Sequence, residues 1–312
     1  MSDTPERPGP TEDPRPAGER ASRPGIVPLG PLDVRTMLAG AVGYIRANPL
    51  ATLGVSAAVM AVSEVVALIA ELALQRTRPA ALGAGRFGAP AAQTLVQLGS
   101  AAVAVALGAV LTGLLLVVLS RAVLGQRVGL RPAWQALAPR LPGLVGLMLL
   151  IGLVVVAIIL VTALPALVAA ATGSGAAIGL ALVLLLVAVA GSAYLSVLWA
   201  LAPAAYVLEP IGVMAALGRS RRLVHRAWWR TFGVLLLTAL AVAVLAVVVM
   251  GLFGAITLGP PTVGTIVRSA LATVVVGTFA VPFGTGVVGL LYIDQRIRRE
   301  RFDVELARWA SG

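Results

Sequence analysis

Cysteine is missing from the 312-residue chain. Its absence removes disulfide frameworks, thiol nucleophiles and thiolate metal sites at one stroke. Lysine is missing as well, so all 24 basic residues are arginine. With the abundance of alanine, valine, leucine and glycine, that points to a GC-rich coding sequence. Histidine occurs once, at His225, which leaves metal catalysis without its usual ligands. No nucleotide cradle, zinc motif or catalytic triad can be read from the spacing. Charge is also scarce: 12% of residues are charged and 59% are apolar, against about 25% and about 45–50% in soluble domains. A single globular core cannot absorb that excess, so the expected solvent is a membrane.

What is present is long apolar runs. A helix needs roughly 20 apolar residues to cross a bilayer. Six stretches qualify: Leu50–Leu74, Leu95–Leu119, Leu144–Leu164, Ile178–Leu201, Phe232–Ile256 and Ser269–Ile293. Their length, and the need to satisfy backbone groups inside each segment, predict helices rather than barrel strands. Residues 1–27 are polar and proline-rich and read as a disordered tail. No signal peptide is expected, because the first apolar run starts near Leu50 and is too long for one. The predicted class is therefore all-α, a polytopic bundle of six transmembrane helices.

The arginines orient it. With the N-terminus inside, twenty arginines fall in cytoplasmic segments and four, Arg76, Arg78, Arg86 and Arg268, fall outside. The positive-inside rule then predicts both termini in the cytoplasm of an inner (plasma) membrane. The same distribution accounts for the net charge of +11 without a nucleic-acid partner and suits anionic headgroups on the cytoplasmic leaflet.

Three segments share a pattern of an amphipathic stretch, a Pro or Gly, then a transmembrane hairpin. They begin LDVRTMLAGAVGYIRANPLATLG, LRPAWQALAPRLPGLVG and IGVMAALGRSRRLVHRAWWRTFG. The hairpins end near Ser120, Glu209 and Asp294, which are 89 and 85 residues apart. Fixed spacing of this kind is architectural. It predicts parallel repeats over about 28–124, 125–208 and 209–293 within a transmembrane domain of residues 28–293, followed by a basic tail over 294–312, with an approximate threefold axis along the membrane normal. Asp33 stands where an N-cap belongs. In the third amphipathic stretch Met214, Leu217, Val224 and Trp228 form one side, and Arg219, Arg222, Arg226 and Arg230 the other. Two placements are open for such helices. They lie in the interface with arginines on headgroups, or they pack on the bundle, and the two are not exclusive.

The runs LAPAAYVLEPIGVMAALGRSRRLVHRAWWRTFGVLLL and VPFGTGVVGLLYIDQRIRRERFDVELAR, with RPGIVPLGPLDV and LSRAVLGQRVGL, carry a resemblance. From about Arg23 to Gly312 the chain resembles a family of actinobacterial integral membrane proteins, described as like the membrane domain of glycerophosphoryl diester phosphodiesterases. The resemblance implies the membrane domain alone. A catalytic barrel would need about 250 further residues, with acidic metal ligands and catalytic histidines. It implies no activity and no functional residues.

Among single residues, Glu64 stands out. It lies roughly 21 Å along the first span, a depth at which an ionisable group is a functional-site hypothesis by default. Glu71 follows two turns later on nearly the same face, and Arg268 is the charge partner expected by depth. Pro282, with Gly284 and Gly286, falls near the middle of the sixth span, where it either kinks the helix or breaks it into a binding site. The readings for Glu64 are a substrate- or proton-binding carboxylate and a structural, hydrogen-bonded one. Ala188, Ser192, Ser196 and Ala200 form a small-residue stripe suited to helix packing. Trp199, Tyr206, Trp228, Trp229 and Tyr292 read as interface anchors, and Arg221 as the partner of Glu209 in a clasp between repeats. The expected protein is non-enzymatic, without cofactor or metal, and binds, senses or moves a lipid or amphiphile. The alternatives are a scaffold for a membrane-protein partner and a small-molecule transporter.

Overall fold

The computed structural model describes residues 32–81, 88–126, 129–171, 174–256 and 262–300. The expected N-terminal tail and the chain after Glu300 lie outside the described residues. Within them the secondary structure is helical, with no strand.

Each helix begins and ends for a local reason. In α1 (Val34–Ala47), the Asp33 carboxylate accepts from the Thr36 N–H at 2.9 Å, the N-cap expected from sequence. Hydrogen bonding from Thr36, its hydroxyl first and its N–H second, holds the Asp33 carboxyl below the usual carboxylate range. A π-helical turn, Leu50–Gly54, leads into α2 (Val55–Ala81). The next helix, α3 (Gly88–Val123), closes on Gly125 at φ 74°, with Gln126 N–H donating to Arg121 O and Gly125 N–H to Ala122 O. This is a Schellman ending, which requires the left-handed residue that glycine supplies. Next come α4 (Leu130–Leu137), a 3₁₀ turn, and α5 (Leu141–Ala171). Ser174 caps α6 (Gly175–Trp199). The chain then bends at Ala200–Leu201 into α7 (Ala202–Leu208), where Pro203 occupies the first turn. Three more helices follow, α8 (Val213–His225), α9 (Trp228–Leu252) and α10 (Val263–Glu300). Gly254, at φ 58°, ends α9 in a second Schellman pattern.

Six helical stretches are long and apolar enough to cross a membrane, and each overlaps one of the six expected runs. Their outward faces carry large apolar side chains such as Leu153, Leu186, Leu240 and Ile69. This is the architecture of a multi-pass integral membrane protein.

The element order short, long, long recurs three times: α1–α2–α3, α4–α5–α6 and α8–α9–α10. The packing follows the same cycle. Each short helix lies on the last helix of the preceding set, α1 on α10, α4 on α3 and α8 on α6. Each first long helix does the same, α2 on α10, α5 on α3 and α9 on α6. One departure matters. Helices α3 and α10 touch each other, but α6 reaches the centre only through its bent continuation α7, which packs on both. At the arginine-rich end the core is α3, α7 and α10, with Leu115, Leu116, Leu119, Leu201, Leu290 and Leu291 all buried. Away from that end α6 leaves the centre.

The short helices are packed on the bundle. Met37, Ala41 and Tyr44 of α1 are fully buried, as are Ala133 and Leu137 of α4 and Ala216 and Val224 of α8. Glycines make room for them. A Cβ on Gly286 would stand 2.5 Å from the Tyr44 ring, and one on Gly113 would stand 2.6 Å from Leu137. The apolar faces of these helices therefore bury against protein, as the second placement expects.

Candidate functional site

Two polar regions stand apart in this apolar molecule, one toward each end of the helices. The first is at the arginine-rich end and is built from acids that close loops. Glu209, just past α7, accepts from Arg219 Nη2 at 2.9 Å and from the Tyr292 hydroxyl. Arg219 also pairs with Glu300 at 2.5 Å, and Arg296 reaches both Glu300, at 3.2 Å, and Glu209, at 3.5 Å. Burial works against the Arg219 charge, but hydrogen bonds to Glu300 and Glu209 outweigh it and hold the guanidinium above its ordinary range. Arg140 donates to the carbonyls of Tyr206, Val207 and Glu209, capping the end of α7.

Asp294 forms a second node and is fully buried. It accepts from Leu32 N–H at 2.8 Å, from Arg298 Nε at 2.9 Å and from Arg230. Arg230 and Arg298 also donate to the Leu32 carbonyl, at 2.7 and 3.1 Å. Both backbone groups of one residue are thereby locked to α9 and α10, and the carboxylate is satisfied on all sides, the condition for burying it.

This clasp revises several expectations. Arg219, not Arg221, holds Glu209; Arg221 is exposed. The reason is helix phase. The helix ends at His225, so Trp228 is not on it, and Ser220 turns inward to donate to Leu198 O at 2.7 Å. Of the four arginines expected on headgroups, Arg219 and Arg230 are held in ion pairs, while Arg222 and Arg226 are exposed. Tyr292 is buried in the clasp and is no interface anchor, whereas Trp229 is 78% exposed. The small-residue stripe is covered only in part, Ala188 being buried and Ser196 exposed.

The second region is a cavity of about 310 Å³ toward the other end, between α2, α3 and α10. Glu64 and Glu71 of α2, Gln97 and Ser100 of α3, and Ser269 and Thr273 of α10 supply its polar lining, and Ala67, Leu68, Val96 and Ile266 supply apolar wall. Three hydroxyls donate into their own helices: Ser100 to Gln97 O at 3.0 Å, Ser269 to Ile266 O at 2.8 Å and Thr273 to Ser269 O at 2.9 Å. Their protons are thus committed, and what they turn to the cavity is lone pairs. With two carboxylates beside them, the lining is rich in acceptors. Ile69, Leu98 and Leu271 are exposed along the same stretches of the three helices.

Glu64 and Glu71 are brought together, as their spacing implied. Arg268 and Pro282 are not. Arg268 is exposed and makes no ion pair with Glu64 among the described residues. Pro282 is buried within a continuous α10, where its carbonyl accepts from the Tyr44 hydroxyl. The helix is not broken there, and the carbonyl is taken up by a side chain of α1. Sequence reasoning missed Gln97, Ser100, Ser269 and Thr273. A signal existed: Gln97 and Ser100 are three apart and Ser269 and Thr273 four apart, so each pair shares one helix face.

Among the described residues no cluster of three metal-binding side chains is found. Compared with protein-family models, curated proteins and solved structures, the chain matches none.

Proposed function

We propose that this chain is a non-catalytic protein of the plasma membrane, with both termini cytoplasmic, that binds the polar head of a lipid or other amphiphile in the Glu64 cavity. One observation carries the reading: an acceptor-rich pocket flanked by exposed apolar side chains, within helices long enough to span a bilayer. Such a pocket favours a head that donates hydrogen bonds, an amine or a polyol, while the tail lies along Ile69, Leu98 and Leu271. The orientation rests on the arginines, which gather at the end that holds the clasp. The resemblance to the membrane domain of glycerophosphoryl diester phosphodiesterases supports a lipid-facing role, by analogy alone.

A second reading, transport of a small molecule, is favoured by the contrast between the cavity and the close-packed core of the arginine-rich end, since access from one side at a time is what alternating access requires. A scaffold needs neither cavity nor carboxylate, and nothing in the packing favours it over these two.

Native mass spectrometry of protein released gently from its own membranes tests the proposal. The wild type is expected to retain a lipid or small molecule of defined mass, and Glu64→Gln to lose it. A bare mass for both proteins, with a stoichiometric protein partner, would move the assignment to a scaffold.

A further inference from the structure

We propose that the turn joining α8 to α9 binds a phosphate group. It lies at the arginine-rich end and is independent of the Glu64 cavity. Two adjoining hollows meet there and share His225 and Arg226. One, of about 620 Å³, adds Arg221, Arg222 and Arg299. The other, of about 760 Å³, adds the aromatic wall of Tyr194, Trp228 and Trp229.

Two observations point to an anion. The first is the lack of acids. Arg219, Arg230, Arg296 and Arg298 each have a carboxylate partner, but among the described residues Arg221, Arg222 and Arg226 have none. Like charges gathered without a counter-charge favour an anionic guest. The second is the start of α9. Ala227 sits at its N-cap and offers no side-chain oxygen, and no acid occupies the first turn. The leading N–H groups of a 25-residue helix are thus left open at the positive end of its dipole. Guanidinium and backbone N–H both donate, and phosphate, which only accepts at its unprotonated oxygens, answers both. A third observation concerns the source of that phosphate. Trp229, Leu236 and Leu240 are exposed along one face of α9, at spacings of seven and four. An acyl chain descending from the turn would meet that stripe, so a lipid headgroup is the favoured carrier.

The test uses the full chain in detergent and reads the thermal midpoint. Short-chain phosphatidic acid is titrated against diacylglycerol of the same chains and against inorganic phosphate. Phosphatidic acid is expected to raise the midpoint where diacylglycerol does not. Inorganic phosphate acting only at much higher concentration assigns the group to a headgroup, and equal potency assigns it to soluble phosphate; both uphold the site. Arg226→Gln, at an exposed and unpaired position, should weaken the apparent affinity by about tenfold, and Arg35→Gln, exposed on α1, should leave it unchanged. Ala227→Asp should raise the midpoint by capping α9 while removing the phosphate response, because its carboxylate takes the anion's seat. If diacylglycerol matches phosphatidic acid, or Arg226→Gln and Arg35→Gln behave alike, the site does not exist and the arginines act only as diffuse charge.

Discussion

The two ends of the helical bundle are built from the same three repeating sets, yet one is tied at its centre by a clasp and the other holds an acid-lined cavity. At the arginine-rich end α3, α7 and α10 meet, short helices wedge between longer ones, and Asp294 and Glu209 tie the loops to α10. At the other end α6 has left the centre, and polar side chains of α2, α3 and α10 face a cavity. The central packing differs at one break in the chain. Ala200–Leu201 ends α6, and α7 follows with Pro203 in its first turn. α7 then supplies the third central helix only at the arginine-rich end. In this architecture the clasp and the acid-lined cavity are assigned to opposite ends.

The comparison breaks most sharply at Asp294. Asp294→Ala leaves Arg230 and Arg298 without their buried counter-charge and the Leu32 N–H without its acceptor. Removing one partner of a buried pair costs about 3–5 kcal/mol. Thermal or denaturant unfolding in detergent should show a loss of that size, with the arginine-rich end becoming protease-sensitive first. A loss as small as that of an exposed surface pair would mean that the clasp does not hold the bundle shut.

Next in size is the seat of α1. Gly286→Ala places a Cβ 2.5 Å from the Tyr44 ring, which is itself fully buried and hydrogen-bonded to the Pro282 carbonyl. Overpacking of this kind costs about 1–3 kcal/mol. The same substitution at Gly284, where no atom lies within 4 Å of the new Cβ, should be neutral or slightly stabilising, since alanine is the better helix former by about 1 kcal/mol. The pair, two residues apart on one helix, separates a steric seat from mere helix propensity.

How far these ends could be read from sequence differs as well. The six spans were legible because hydropathy is additive along a helix and needs no knowledge of neighbours. The recurring order of elements was legible for the same reason. The partner of Glu209 was not, because the phase of α8 is set by a polar residue, Ser220, that turns inward to the Leu198 carbonyl. Periodicity alone would send it outward. The place of Tyr292 was hidden in a similar way: an aromatic near a span end reads as an anchor until a carboxylate from another repeat is known to lie beside it. At the cavity, Glu64 and Glu71 were legible as costly charges in an apolar span. Gln97, Ser100, Ser269 and Thr273 were not, since each is unremarkable alone and only the packing of three helices brings them together.

The smallest expected effect belongs to the region outside both ends. Leu186 of α6 is 68% exposed and, in a bilayer, faces acyl chains as apolar as itself. Leu186→Ala therefore removes little packing within the protein, and its change in stability should stay within about 0.5 kcal/mol. Leu290→Ala on α10, where the side chain is fully buried, should cost about 2–5 kcal/mol. Unfolding of the two variants in the same detergent gives the contrast directly. Equal losses would mean that α6 is covered in the native protein, by a second copy or by another membrane protein. In that case the departure of α6 from the centre would serve assembly.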